Sequence, residues 1–281
     1  MTSGLRKRIA TAVVLGGLFL LGVSQLDIQW MALAFGVVAT AGAWEWARLA
    51  CWKATWQRVI YSVVLPVILW GLWQVCGLPA KPAAAVIQPW LGGACLLWCV
   101  SALMVRGYPN SDWVWRSRLL SSVLGWLLLA ATWLSLLYFL TLRDGAMLLV
   151  IFIVAVAAAD IGAYFSGHQW GKHKLAPRVS PGKTWEGFLG GVVSVLLLTT
   201  LVWFNLPNSD AHLRIQSVFI LGLVLAGTSV LGDLTVSMVK RSSGCKDSGG
   251  LLPGHGGLLD RIDSIAGAAP AFALGLLLIG Y

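Results

Sequence analysis

The segment AMLLVIFIVAVAAADIGAYFS, residues 146–166, decides how this chain folds. It is dominated by apolar and small residues and contains a single charged side chain, Asp160. A run of about 20 such residues forms a helix long enough to cross the hydrocarbon core of a bilayer. Because lipid cannot hydrogen-bond to an open backbone, such a segment has to be helical. The stretch therefore predicts a membrane-spanning helix that carries one carboxylate.

The same pattern recurs along the whole chain, which is 58% hydrophobic and only 11% charged, whereas soluble domains contain roughly 25% charged residues. Nine segments qualify as spans: residues 9–26, 28–44, 59–78, 84–105, 119–141, 146–166, 187–205, 217–239 and 262–281. We expect the first to be an uncleaved span rather than a signal peptide, because no convincing cleavage site follows it. The sequence thus predicts an all-α polytopic membrane protein with about nine transmembrane helices.

Positive charges between the segments predict the orientation. With a cytoplasmic N-terminus, 17 of the 20 Lys and Arg residues fall on the cytoplasmic face, and the other face keeps Lys81, Arg143 and Arg214. This asymmetry is typical of membrane proteins, and it explains the net charge of +9 better than nucleic-acid binding does. Two polar loops, residues 167–186 and 240–261, then face the cytoplasm. They belong to a predicted catalytic region over residues 146–281, which follows a region of about five spans over residues 1–145.

The eleven acidic residues are unevenly distributed. Five are expected on solvated surface in loops or at span ends: Asp27, Glu45, Asp112, Asp144 and Asp210. The other six lie in or near the two cytoplasmic loops: Asp160, Glu186, Asp233, Asp247, Asp260 and Asp263. Asp160 and Asp233 fall inside apolar spans, where a carboxylate is costly unless it is paired or binds a cation. We therefore expect a functional site at this end of the protein.

Asp260 and Asp263 lie three residues apart at the predicted start of the last helix, so they share one helix face. Carboxylates at a helix N-terminus can simply be caps. Asp233 and Asp247 are expected to converge on the same region, however, and a divalent cation would relieve the repulsion among several carboxylates. Their oxygen atoms favour Mg²⁺ or Ca²⁺ over zinc.

Residues 246–263, KDSGGLLPGHGGLLDRID, combine these acids with bases and glycines. The basic residues in and just before this stretch are Lys240, Arg241, Lys246, His255 and Arg261. A salt-bridge network would explain the charges but not the glycines, whose backbone can approach an anion closely. The combination suits a phosphoanhydride bound together with Mg²⁺.

The stretch APRVSPGKTWE, residues 176–186, contains GKT but is not a P-loop, because the glycine required five positions before its GK glycine is absent. Ser180, Lys183 and Thr184 could contact a phosphate. The alternative is an ordinary Ser-Pro-Gly turn that caps the next helix, with Glu186 in its first turn. The sequence leaves both possibilities open. The remaining histidines are expected to be solvated loop residues: His168, His173 and His212.

Residues 237–263, SMVKRSSGCKDSGGLLPGHGGLLDRID, resemble the signature of the phosphatidate cytidylyltransferase (CDP-diacylglycerol synthase) family at every fixed position. Further stretches are similar to this family: DIGAYFSG at 160–167, SPGKTWEG at 180–187, LGDL at 231–234 and LRKRIATA at 5–12. The region 28–145 shows only the expected hydropathy. At Gly182 the family commonly has a lysine, so one possible phosphate-binding charge is missing from this chain.

The resemblance implies a homodimeric, Mg²⁺-dependent enzyme of the bacterial inner membrane that converts CTP and phosphatidate into CDP-diacylglycerol and diphosphate. Such a reaction needs charge neutralisation and positioning more than a base, because the phosphatidate phosphate is already anionic. The expected metal ligands are Asp233, Asp260 and Asp263, with Asp247 at a further or second cation. The expected phosphate contacts are Ser180, Lys183, Thr184, Lys240, Arg241 and His255. The residues expected to act in catalysis are Asp160, Lys246, Asp247, Asp260 and Arg261.

Two alternatives remain on sequence alone. A CTP-dependent polyprenol or phytol-type lipid kinase would transfer the γ-phosphate to an alcohol and release CDP. A transporter of a phosphorylated solute would explain the spans and the intramembrane acids, but it predicts charges near the bilayer midplane and inverted repeats. Here the acids cluster towards one face and no repeat is evident.

Overall fold

The computed structural model of this protein describes Val14 and residues 16–205, 214–251 and 256–281. Within these ranges it is mostly helical, with one small two-stranded sheet. In chain order the helices are α1 (Gly16–Gln25), α2 (Ile28–Leu49), α3 (Thr55–Cys76), α4 (Ala84–Gly107), α5 (Trp113–Arg116), α6 (Arg118–Thr141), α7 (Gly145–Trp170), α8 (Trp185–Asn205), α9 (Ile215–Ser242) and α10 (Leu259–Leu278). The antiparallel strands β1 (Lys174–Ala176) and β2 (Ser180–Thr184) form a hairpin between α7 and α8.

Seven of the described helices, α3, α4 and α6–α10, are 20 to 28 residues long with a mean hydropathy of 1.4 to 2.5, which is enough to cross a membrane. The prediction of an all-α polytopic membrane protein is therefore confirmed. α2 is 22 residues long, and α1 is a shorter apolar helix. The exact count of nine spans stays a prediction. Residues 9–13 and 15 of the first predicted span lie outside the described residues.

Close helix contacts position the acidic residues of the bundle. Gly232 of α9 faces Gly267 of α10 so closely that a Cβ added to Gly232 would lie 3.0 Å from the Gly267 Cα. A Cβ on Gly191 of α8 would likewise lie 2.8 Å from the carbonyl oxygen of Ala159 in α7. Small residues allow membrane helices to approach this closely. Asp233 follows Gly232 and Asp160 follows Ala159 in sequence, so both aspartates lie next to these close helix contacts.

Hydrogen bonds at the two ends of the bundle show which charged residues lie at the end with the polar loops and which lie at the opposite end. At one end, Arg48 in the last turn of α2 donates a hydrogen bond to the carbonyl of Asp247 in the α9–α10 loop. At the other end, Lys81 Nζ donates to the Tyr281 carbonyl over 3.1 Å, and the Tyr281 hydroxyl donates to the Arg143 carbonyl over 3.5 Å. Lys81 and Arg143 thus lie away from the two polar loops, as the charge distribution predicted. The cytoplasmic location of the first end stays a prediction.

Both polar loops are shorter than predicted, because the flanking helices extend into them. The interval between α7 and α8 is reduced to residues 171–184, much of it in the hairpin, and that between α9 and α10 to residues 243–258. The predicted boundary at residue 145 coincides with the start of α7. Helices on both sides of it contribute to one buried apolar cluster, and the division into two regions stays a prediction.

Candidate active site

A cavity of about 530 Å³ opens between the hairpin and the neighbouring ends of α7, α9 and α10. It brings together seven residues that the sequence predicted for the site: Asp160, Lys183, Thr184, Asp233, Lys240, Asp260 and Asp263. These residues come from four separate parts of the chain, so their convergence is a property of the fold. We refer to this space as the acidic cavity.

Two lysine–aspartate ion pairs lie in the acidic cavity. Lys183 Nζ in β2 is 2.6 Å from Asp233 Oδ2 in α9, and Lys240 Nζ near the end of α9 is 2.6 Å from Asp260 Oδ1 at the start of α10. The second pair is the more enclosed, with side chains 13% and 16% exposed. Ser237, one turn after Asp233, donates its hydroxyl to Asp233 Oδ1 over 3.1 Å. Each lysine is therefore held by a carboxylate where its ammonium group can meet an anion.

Asp160 and Asp263 supply the remaining negative charge. Asp263 is 8% exposed, and its Oδ1 accepts a hydrogen bond from the Ser264 N–H over 2.8 Å. The Ser264 hydroxyl reaches Asp160 Oδ1 over 3.4 Å and so links α10 to α7. Within the described ranges, neither carboxylate forms an ion pair with a lysine or arginine. Among the described lining residues, four carboxylates against two lysines give an excess of two formal negative charges.

This set of groups fits a divalent cation by its chemistry. Carboxylate and hydroxyl oxygens are suitable ligands for Mg²⁺ and Ca²⁺, and a charge of +2 would balance the excess. The side chains do not form a finished coordination shell: across the described part of the chain, no three Asp, Glu, His or Cys residues are grouped so that they could hold a metal ion. Lys183 and Lys240 each already contact one aspartate oxygen. Mg²⁺ binding therefore stays a prediction.

The hairpin caps α8, but not through the Ser-Pro-Gly turn that the sequence offered, because residues 180–182 lie in strand β2. Phosphate contact at Ser180, Lys183 and Thr184 stays a prediction. Lys183 and Thr184 line the cavity, whereas Ser180 at the start of β2 does not. Thr184 Oγ1 also accepts a hydrogen bond from the Gly187 N–H over 3.1 Å and so caps the first turn of α8. Gly182 lines the cavity as well, and a Cβ there would meet nothing within 4 Å. The position at which the resemblance led us to expect a lysine therefore borders free space.

Glu186 lies in the first turn of α8 and His173 is exposed just before the hairpin, both as expected, whereas His168 lies in a helix rather than in a loop. Glu186 accepts hydrogen bonds from the Lys172 and His173 N–H groups over 3.1 and 3.2 Å, and its Oε1 lies 2.6 Å from His173 Nδ1. This carboxylate fastens the base of the hairpin to α8. His168 belongs to α7 and lines the acidic cavity, with its ring parallel to that of Tyr164 at a centroid distance of 6.1 Å. His212 lies outside the described residues.

Other predicted site residues are not brought into the cavity. The side chains of these residues are exposed and do not line it: Arg241, Lys246, Asp247 and Arg261. His255 lies outside the described residues. The roles assigned to these five residues, including a second-cation site at Asp247, stay predictions.

The expectation that Glu45 is a solvated surface residue was wrong. Glu45 in α2 is 1% exposed, and its Oε2 accepts hydrogen bonds from Ser248 Oγ over 2.8 Å and from the Leu259 N–H over 3.0 Å. Because Leu259 begins α10, Glu45 caps that helix from a distant part of the chain. The Ser248 N–H in turn donates to Asp260 Oδ2 over 3.1 Å. One network therefore joins α2 to the Lys240–Asp260 pair.

Glycines of the α9–α10 loop make room for the Glu45 carboxylate. A Cβ on Gly249 would collide with Glu45 Oε1, and a Cβ on Gly257 would lie 2.8 Å from Glu45 Oε2. From the sequence we expected the glycines to let the backbone approach an anionic ligand. Gly249 and Gly257 instead leave space for the Glu45 side chain. The sequence carried one weak signal of this role: an acid in the last turns of a long apolar segment.

Helices long and apolar enough to span a membrane, with acids and lysines converging in a cavity at one end, are the arrangement expected of an integral membrane enzyme that acts on phosphate groups. Residues 6–279 match the profile of the cytidylyltransferase family, so the chain belongs to that family and is a CTP-dependent nucleotidyltransferase. The resemblance drawn from residues 237–263 is confirmed by this match.

Several curated relatives align along almost the whole chain. The phosphatidate cytidylyltransferase of Pseudomonas aeruginosa is 42% identical over 277 residues, which cover 96% of this chain and 96% of the relative. That of Haemophilus influenzae is 37% identical over 281 residues, covering 96% of this chain and 97% of the relative. That of Brucella suis is 34% identical, with 95% and 91% covered. The similarity therefore includes the N-terminal helices as well as the acidic cavity.

Proposed function

We propose that this enzyme transfers the cytidylyl group of CTP to phosphatidate and releases diphosphate, with CDP-diacylglycerol as the product. The observation that carries the proposal is the acidic cavity, where Lys183 and Lys240 lie among four carboxylates at one end of a membrane bundle. The family and the names of the aligned relatives support the same reaction. The lipid-kinase and transporter alternatives have no comparable support.

In this reaction an oxygen of the phosphatidate phosphate forms a bond to the α-phosphorus of CTP. The bond between that phosphorus and the oxygen bridging to the β-phosphate breaks, and diphosphate leaves with the electron pair. The attacking phosphate is already anionic, so no residue has to remove a proton from it. The main obstacle is repulsion between two anions, and groups that neutralise and align the phosphates lower the barrier.

Lys183 and Lys240 are the cations assigned to this task. They come from the hairpin and from α9, and each is oriented by its aspartate over 2.6 Å. We assign them to the phosphate oxygens of CTP and of the leaving diphosphate. Thr184, which lines the same wall as Lys183, is placed to add a hydroxyl contact.

The carboxylates would hold Mg²⁺. We assign this role to Asp233, Asp260 and Asp263. Asp160 would orient these ligands through its contact with Ser264, and Asp247 would bind a second cation. When bound, the ion neutralises phosphate charge and makes the α-phosphorus more susceptible to attack. Two serines hold these acids in place by hydrogen bonds. Ser237 donates to Asp233, and Ser264 donates to Asp263 and Asp160.

The proposal also includes the setting of the enzyme. We place the acidic cavity at the cytoplasmic end of a nine-span homodimer in a bacterial inner membrane. The excess of Lys and Arg at this end supports the orientation, and water-soluble CTP would enter from the same side. Phosphatidate could reach the cavity along the bilayer with its acyl chains still in lipid. Cross-linking in native membranes, with a product of twice the chain mass, tests the homodimer.

Two labels on CTP test the reaction. The purified protein is incubated with phosphatidate in detergent micelles, Mg²⁺, and CTP labelled either on the α-phosphate or on the γ-phosphate. We expect the α-label in the lipid product and the γ-label in diphosphate. The γ-label in lipid, together with release of CDP, would instead indicate a kinase, and failure of both labels to move would contradict nucleotidyl transfer.

A further inference from the structure

A second cavity lies beside the acidic cavity at the same end of the bundle. Its volume is about 540 Å³, and Leu175 of strand β1 lines both spaces. Its other walls come from the end of α4, the hairpin turn, the start of α8 and the part of α9 around Asp233. The residues that define it are Arg106, Tyr108, Arg178, Val179, Trp185 and Leu234. We call it the arginine cavity.

The arginine cavity carries the opposite charge to its neighbour. Arg106 and Arg178 are its charged lining residues, and no acid lines it within the part of the chain that the structure covers, which gives a formal charge of +2. Neither guanidinium has an ion-pair or hydrogen-bond partner among the described residues. Arg116, by contrast, is paired with Asp112 over 2.8 Å. Two donor-rich groups therefore remain available to an anion.

The walls of the arginine cavity are apolar. Val179 and Leu234 are 1% and 7% exposed and form a buried floor, whereas Trp185 is 51% exposed at the rim. A soluble anion would gain nothing from such walls. A molecule with an anionic head and an apolar body would use both features at once. Excess positive charge at this membrane face accounts for exposed arginines in general, but not for two arginines that share a concave apolar site.

We propose that the arginine cavity binds the phosphate headgroup of an anionic glycerolipid. Arginine presents its N–H groups in a planar fork that matches two phosphate oxygens, and basic pockets between transmembrane helices are known to take lipid headgroups. The glycerol and the first acyl carbons would lie against the apolar walls. This inference does not depend on which reaction the acidic cavity catalyses.

Binding at this site would also affect the acidic cavity. Arg178 lies in the turn of the hairpin, and Lys183 lies on its second strand. A headgroup that bridges Arg178 to Arg106 would tie the hairpin to α4 and restrict the movement of Lys183. An anionic lipid would thus steady one of the two lysines that face the substrates.

Photo-crosslinking tests the site without relying on turnover. The full-length protein is placed in phosphatidylcholine nanodiscs with a few mole per cent of phosphatidate or phosphatidylglycerol carrying a diazirine near the headgroup. Cross-linked peptides are then mapped by mass spectrometry. We expect adducts in residues 102–108 and 175–179. In the double variant R106Q/R178Q the yield of these adducts should fall at least about fivefold. In R116Q, which changes an exposed arginine outside both cavities, the yield should stay at the wild-type level.

Each outcome decides the proposal. Loss of adducts from both lipids in the double variant supports a general anionic-lipid site, and loss from phosphatidate alone supports one specific for phosphomonoesters. Wild-type labelling in R106Q/R178Q overturns the proposal. Protection by millimolar inorganic phosphate, equal to that by unlabelled lipid, assigns the site to free phosphate and overturns the lipid. If the double variant elutes as an aggregate, R106K/R178K replaces it. Lysine keeps the positive charge but lacks the planar guanidinium, so the adduct yield should fall by a smaller factor than that expected for R106Q/R178Q.

Discussion

Replacing Glu45 by alanine tests whether α2 holds the catalytic loop in place. The carboxylate is 1% exposed and serves two buried donors, Ser248 Oγ and the Leu259 N–H. Alanine leaves both without this acceptor, and each unsatisfied buried group costs about 1–3 kcal/mol. Because the Ser248 hydroxyl can rotate towards another acceptor, we expect a total of about 2–4 kcal/mol.

This loss acts on the docking of Ser248 and of the start of α10, and hence on the position of Asp260. Every 1.4 kcal/mol is roughly a factor of ten in an equilibrium constant, so about 2–4 kcal/mol shifts the docking equilibrium roughly 30- to 1,000-fold. We expect kcat for cytidylyl transfer to fall at least about tenfold. Glu45→Gln keeps one acceptor oxygen in a side chain of similar size, so it should retain more activity than the alanine variant.

The assay is steady-state turnover of α-labelled CTP, with the amount of folded protein measured by size-exclusion elution. Asp144→Ala is the matched control, because Asp144 is an acid with a 60% exposed side chain beside Arg143, at the other end of the bundle. It should leave kcat unchanged. A merely structural role of Glu45 would reduce the folded fraction but not the kcat of the protein that remains folded. Wild-type kcat in folded Glu45→Ala would refute the reasoning.

Three further predictions concern the cavity and the helix contact beneath it. Asp233→Asn removes the negative charge that pairs with Lys183. We expect normal membrane insertion and a fall in kcat of at least about 100-fold; turnover of labelled CTP within threefold of wild type would contradict this. Gly182→Lys adds a cation where a Cβ meets nothing within 4 Å, so the KM for CTP should fall in steady-state kinetics, and a rise would count against it. Gly267→Ala drives a Cβ to 2.7 Å from the Gly232 Cα; the overpacking should cost about 1–3 kcal/mol and lower the thermal-inactivation temperature, and an unchanged temperature would contradict the close contact.

Most of the fold was readable from sequence because spans in lipid obey a simple rule of length and polarity. The same rule exposed Asp160 and Asp233, since a carboxylate inside an apolar run needs a partner. Loop lengths were less predictable, because polar residues at a membrane surface can either continue a helix or form the loop after it. α7 and α9 both continue beyond their apolar segments.

Long-range contacts set the limit of sequence reasoning. Glu45 was assigned to the surface because nothing near it in sequence shows its partners, and Ser248 lies 203 residues away. Asp247 was assigned to the site by its position in a charged loop, yet the structure leaves its side chain exposed. In both cases the outcome depends on how a loop folds back on a distant helix, which local spacing does not determine.

The activity and stability of Asp263→Asn test the central claim most directly. Asp263 is 8% exposed and forms no ion pair with a described lysine or arginine, so removing its charge should leave thermal stability equal or higher. If the carboxylates of the acidic cavity act on the nucleotide, transfer of the α-label from CTP to phosphatidate should fall at least about 100-fold in the same sample. Lipid labelling within about twofold of wild type, in a stably folded Asp263→Asn protein, would contradict the account.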